Sequence, residues 1–147
     1  MKCNPIWRVA VTSTLLLMTG WAVATQQSKV SLPMVASAQV PLYPPVARRS
    51  NVEGVVHLNV TTDGHRVVST HVEDGHKLLA AAAENNAKTW EFSLHEPVTF
   101  TVTYSFKLLT DWKGDPNNPM VVLRFPTEVE VSTRRWGGTV DMPAEIK

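Results

Sequence analysis

The chain has 147 residues, with 14 Lys and Arg against 13 Asp and Glu, a net charge of +1. A balance this close to neutral gives no long-range pull on nucleic acid or anionic lipid and excludes a binder driven by charge alone. The single cysteine, Cys3, leaves no disulfide framework and no thiolate cluster, so the fold must rest on an apolar core.

The N-terminus reads as an export signal. Lys2 and Arg8 supply positive charge, and residues 9–24 are apolar apart from Thr12, Ser13, Thr14, Thr19 and Gly20. Ala22-Val23-Ala24 fits the small-x-small cleavage pattern, so cleavage is expected after Ala24. A second candidate, Ala36-Ser37-Ala38, sits far from the apolar run. The alternative is an uncleaved membrane anchor. Sixteen helical residues span about 24 Å, short of a hydrocarbon core of about 30 Å, and extending back through Ile6 and Trp7 puts Arg8 inside the span. The mature chain, residues 25–147, carries 12 basic and 13 acidic residues and no cysteine. Its length suits one small domain.

Residues 25–40 are polar and without period, which predicts a linker. Tyr43-Pro44-Pro45-Val46-Ala47-Arg48-Arg49 predicts a turn feeding a short helix, since proline is tolerated in a first helical turn. A proline-rich loop is the other reading. Residues 55–62 alternate, with Val56, Leu58 and Val60 on one face and His57, Asn59 and Thr61 on the other, as in a half-buried strand. Asp63-Gly64 marks a hairpin turn, and residues 67–72 form the return strand. A three-residue loop, Asp63-Gly64-His65, keeps the core face apolar by pairing Val60 with Val68, Leu58 with Thr70 and Val56 with Val72.

Gly75 ends that strand. Residues 76–89 predict the main helix, with Leu79, Ala82 or Ala83, Asn86 or Ala87, and Trp90 at helical spacing. Four consecutive alanines favour the helix and give a flat packing surface. Asn86 falls on or near the buried stripe, so it lies at its edge or is hydrogen-bonded. Residues 98–108 form the clearest strand: Val98, Phe100, Val102, Tyr104 and Phe106 share one face, and Thr99, Thr101, Thr103, Ser105 and Lys107 the other. After a loop at 111–119, residues 120–133 predict one more strand, at a sheet edge or bulged because of Pro126. The remaining residues to 147 read as a loose tail. In domain terms, 41–108 is the folded unit, 109–135 an added loop and edge strand, and 136–147 the tail. The expected class is α+β: a small antiparallel sheet of three to four strands with two helices on one face.

The order of short helix, hairpin, helix and long strand, carried by Tyr43-Pro44, Ala47-Arg48, Glu53-Gly54, Asp63-Gly64, Gly75, Leu78-Leu79, Ala82-Ala83, Ala87, Trp90 and Phe92, resembles the C-terminal domain of TonB-family energy transducers. The resemblance covers about residues 41–108. Each motif residue also has a structural meaning: Gly54 permits an unusual backbone angle, and Leu79, Trp90 and Phe92 fill the core. The resemblance implies a periplasmic, non-catalytic domain without cofactor. Such a domain grips an extended segment of an outer-membrane transporter by adding it to a sheet edge. It implies that the strand at 98–107, with Thr99, Thr101, Thr103, Ser105 and Lys107, is the docking edge. Three departures stand out. The family's membrane anchor carries Ser-x-x-x-His, whereas Ser13 is followed by Leu17 and residues 1–24 hold no histidine. The linker spans at most about 55 Å and lacks the family's proline-rich rod. The extra strand at 120–133 could cover the docking edge. A stand-alone exported domain is therefore expected. An anchored transducer and an envelope assembly protein that dimerises through its C-terminal strand are the alternatives, and a membrane contact is expected only if the leader stays uncleaved.

Little else carries chemistry. The predicted hairpin register puts His57 opposite His71 on the outer face, close enough to share one metal ion, but a lasting site needs a third or fourth strong ligand. His76 is expected to cap its helix or to pack, not to catalyse, since no nucleophile accompanies it. Glu73 and Asp74 sit ahead of that helix, where negative charge suits its dipole. No phosphate loop, nucleophile elbow or zinc-protease helix is present.

Overall fold

The computed structural model of the chain describes residues 31–115 and 117–137. The predicted export segment at 1–24 and nearly all of the predicted tail lie outside the described residues.

Alternation sets the sheet. β2 (Gly54–Thr62) and β5 (Val98–Leu109) run antiparallel, with Val56 opposite Tyr104, Leu58 opposite Val102 and Val60 opposite Phe100. All six side chains are buried on one face. β3 (Val67–Asp74) flanks β2 on the far side. α1 (Pro45–Arg49) has proline in its first turn, and α2 (Lys77–Ala87) buries Leu79, Ala80, Ala83 and Ala87. The His76 ring accepts the Leu78 N–H at 3.3 Å, which caps α2. Tyr43 meets Phe106 edge-on at 5.5 Å, so the α1 segment covers the same sheet face as Trp90 and Phe92 behind α2.

The hairpin register differs from the expected one. His71 lies opposite Asn59, Val72 opposite Leu58, and His57 opposite Asp74. The cause is the loop. The Asp63 carboxylate accepts the N–H groups of both His65 (2.9 Å) and Arg66 (2.8 Å), and the Asp63 N–H reaches the Arg66 carbonyl at 3.1 Å. The turn therefore closes at Arg66, one residue later than predicted. Irregularities at Thr61/Thr62 and His57/Leu58 each admit one extra β3 residue, Val68 and Glu73. The first of these restores parity, so the apolar face is kept. The paired histidines expected at 57 and 71 are not opposed.

Two further expectations change. Within the predicted linker at 25–40, β1 (Val35–Ser37) pairs antiparallel with β4 (Glu91–Phe92) as a separate two-stranded sheet, held by main-chain bonds that periodicity does not report. The single strand predicted at 120–133 is a hairpin: β6 (Met120–Arg124) and β7 (Glu128–Arg134). Pro126 sits in the turn between them, where its missing donor costs nothing. The main sheet thus has five strands in the order β3-β2-β5-β7-β6, and β5 with β7 is parallel. β7 takes the interior position because its alternating Val129 and Val131 bury completely against the core, each burial stabilising by about 1.5–3 kcal/mol. Among the described residues no helix is long and apolar enough to cross a membrane.

Candidate functional site

β5 is the strand that the family resemblance implies as a docking edge, and the structure divides it in two. On one side β2 pairs along residues 98–106. On the other, β7 pairs only with residues 103–109. The parallel ladder starts where the Thr103 N–H donates to the Thr127 carbonyl at 2.8 Å and ends where the Arg135 N–H donates to the Leu109 carbonyl at 3.0 Å. Odd-numbered residues of β5 thus turn their main-chain groups toward β7, and even-numbered ones toward β2. By that parity the N–H and C=O of Thr99 and Thr101 point to the side that β7 does not reach. Among the described residues nothing pairs with them there. Thr103, Ser105 and Lys107 keep outward side chains, but their main-chain groups are spent on β7. Of the strand at 98–107, only residues 98–102 lack a β7 neighbour among the described residues, because the added hairpin supplies its own strand from 103 on.

The outer face above this edge is polar and internally tied. Thr61 and Thr99 hydroxyls meet at 2.9 Å, Thr101 donates to Asn59 Oδ1 at 2.7 Å, and Asn59 Nδ2 donates to Glu73 at 2.6 Å. Lys107 reaches Glu130 at 2.8 Å. The inner face is aromatic. Phe125, from the β6–β7 turn, meets Trp90 at 4.9 Å and an interplanar angle of 84°; Trp90 in turn lies against Tyr104 and Phe92. Asn86 fixes this cluster. Its Oδ1 accepts from Trp90 Nε1 (3.2 Å) and the Tyr104 hydroxyl (3.0 Å), and its Nδ2 donates to the Gln39 carbonyl at 2.7 Å. Burial pushes the Tyr104 phenol well above its ordinary range, so it stays a donor.

The remaining motif residues are structural. The Tyr43 hydroxyl donates to the Val52 carbonyl at 2.6 Å, and burial, helped by the charge of Glu53 and opposed by Arg135, pushes its pKa up to about 12. Pro44 is the residue before α1, and Arg48 in α1 stacks over Trp136 at 5.7 Å. Gly54, first in β2, and Gly75, just after β3, hold positive φ at the open end of the β2–β3 hairpin. Leu79, Trp90 and Phe92 are core. Among the described residues, nothing gathers these groups around a cleft with reactive chemistry, and a cleft of about 390 Å³ between residues 39–45 and α2 has Tyr43 as its one ionisable lining side chain. Among the described residues no group of three or more His, Cys, Asp or Glu could hold a metal.

His57 instead meets Asp74, Nδ1 to Oδ1 at 2.6 Å, with a second bond from the His57 N–H at 3.3 Å. The His57 ring bond holds the exposed Asp74 carboxyl below its usual range, against a smaller desolvation effect. The Arg66 and His65 N–H groups do the same for Asp63, and Lys107 for Glu130. A depressed folded-state pKa stabilises above the unfolded carboxylate pKa of about 4 and is lost as pH falls through the folded value. The midpoint of urea unfolding is therefore expected to fall as pH drops below about 4, and Asp74→Asn is expected to flatten that slope. An unchanged slope would show that the His57–Asp74 contact carries no linkage.

Comparison with protein families bears on this arrangement. Residues 39–108 match the family model described as the Gram-negative bacterial TonB protein C-terminal. This stretch is a TonB C-terminal domain. The match spans α1, the β2–β3 hairpin, α2, β4 and nearly all of β5, and it ends before β6 and β7. A comparison with curated proteins returned no significant match. TonB C-terminal domains are protein-interaction domains of the Gram-negative envelope and are not enzymes. The added hairpin, which sequence reasoning took for one strand, decides how much of β5 remains open. Its signal was present in Phe125-Pro126-Thr127, flanked by the apolar run Met120-Val121-Val122-Leu123 and the alternating Glu128-Val129-Glu130-Val131.

Proposed function

We propose that this chain is an exported TonB-like binding module that engages an extended segment of an envelope protein by strand addition to residues 98–102 of β5. The partner class suggested by the family is an outer-membrane transporter segment. The observation that carries the reading is the parity of β5, which aims the main-chain donors and acceptors of Thr99 and Thr101 at a side where no described residue pairs with them. Thr101→Pro tests it. Proline removes a donor that no internal ladder uses, so the fold is expected to survive. Binding to transporters extracted from the outer membrane is expected to fall by at least about tenfold. An intact fold with unchanged binding would defeat the reading. Export itself is tested by the N-terminal sequence of the protein from its native envelope: a start at Thr25 is expected. A retained Met1 in the inner-membrane fraction would make it an anchored transducer.

A second reading rests on β6. This strand is a sheet edge with Met120 and Leu123 exposed and Arg124 as its one charge, so it lacks most of the devices that keep edges apart. It supports a homodimer by edge pairing. Sedimentation that stays monomeric at rising concentration would remove that reading.

A further inference from the structure

We infer that the β6–β7 hairpin is a built-in stop that limits the docked partner to a segment of about five residues; this inference rests on the strand-docking reading above. A partner strand added along β5 has two residues, Thr99 and Thr101, whose main-chain groups it can pair with. The next outward-turned residue, Thr103, already donates to the Thr127 carbonyl at 2.8 Å. The turn that supplies Thr127 also places Phe125 against Trp90 at 4.9 Å. The space a longer partner would enter is therefore filled on both the main-chain and the aromatic side. The stop is firmly held. Val129 and Val131 are 1% and 0% exposed, and Arg135 both bonds Leu109 through its N–H and pairs with Glu53 at 3.2 Å.

Thr99 and Thr101 are exposed; beside β7, Thr103 and Ser105 are only partly so, and Lys107 is exposed but tied to Glu130. The two faces of the open stretch also set the chemistry of the occupant. On the helix side its own residues Phe100 and Val102 point into the core, which suits apolar side chains at the matching positions of the occupant. Toward the outer face it borders the Thr99 and Thr101 hydroxyls, which suits small polar ones. The occupant is a short extended peptide of alternating apolar and polar residues, and length beyond about five residues adds nothing.

The test uses random heptapeptides displayed on phage, selected on the chain purified in the form the cell accumulates. The best synthetic peptide is then titrated into 15N-labelled protein. The expected result is protection of the Thr99 and Thr101 amides with Thr103, Ser105 and Lys107 unchanged. Trimming the peptide to about five residues is expected to keep affinity within about threefold. A footprint running through Thr103 to Lys107, with loss of the Thr103–Thr127 bond, would overturn the stop while leaving docking on β5 standing. No selected peptide, or a footprint on β3 or β6, would overturn the docking reading and the stop with it.

Discussion

Asn86→Ala is expected to lower the free energy of unfolding by about 3–5 kcal/mol, read from urea denaturation. The substitution strands two donors inside the core, Trp90 Nε1 and the Tyr104 hydroxyl, and frees the Gln39 carbonyl on the outer side. Each buried polar group left unpaired costs about 1–3 kcal/mol. Gln39 is exposed and recovers water, so the two aromatic donors carry most of the loss. Asn86→Asp separates the parts. It keeps the acceptor for both donors and sets a carboxylate oxygen against the Gln39 carbonyl, so an intermediate loss is expected. A loss below about 1 kcal/mol for Asn86→Ala would mean that water enters the site and pairs both donors.

Gly75→Ala is expected to destabilise by about 3–4 kcal/mol in the same assay. Gly75 holds φ at 125°, where a Cβ is strained by about 1–3 kcal/mol. The added carbon would also stand 2.7 Å from Val56 Cγ2 and 3.0 Å from both the Val55 carbonyl oxygen and Val56 Cα. Backbone atoms of a central strand cannot give way as a flexible side-chain end does. Gly54→Ala isolates the backbone contribution. Its φ is 154°, but its Cβ would meet only Leu79 Cδ1 at 3.9 Å, an ordinary contact. Gly54→Ala is therefore expected to cost clearly less. Equal losses at the two sites would show that conformation, not crowding, governs both.

Much of the fold was legible because two periods dominate the chain. Alternation put Val56, Leu58 and Val60 on one face of their strand and Phe100, Val102 and Tyr104 on one face of theirs, and helical spacing put Leu79, Ala82 or Ala83, and Asn86 or Ala87 on one stripe. The structure buries both strand faces together and settles the stripe on Leu79, Ala83, Asn86 and Ala87. Elements that owe their existence to main-chain bonds were not legible. β1 is three residues without alternation and exists because β4 lies beside it. The hairpin register turned on the Asp63 carboxylate taking two N–H groups, a local contest that hydrophobic pattern does not weigh. The site was half legible. The polar row of Thr99 and Thr101 marked an outward face, but which of those residues has free main-chain groups depends on where β7 begins. That starting point is a matter of topology, since a strand 25 residues or more downstream returns parallel to β5. The His57–His71 pair failed with the hairpin register, which gave His57 an acidic partner, Asp74, instead.

The central claim is that partners meet this chain at the open stretch of β5. It is tested most directly by photo-cross-linking in the native envelope, with a photoreactive residue placed in turn at Thr99, at Lys107 and at His71. The account predicts a cross-link to an outer-membrane transporter from position 99, and none from position 107 beside β7 or from position 71 on the far edge of the sheet. Equal cross-linking from all three positions, or a product from position 71 alone, would contradict it.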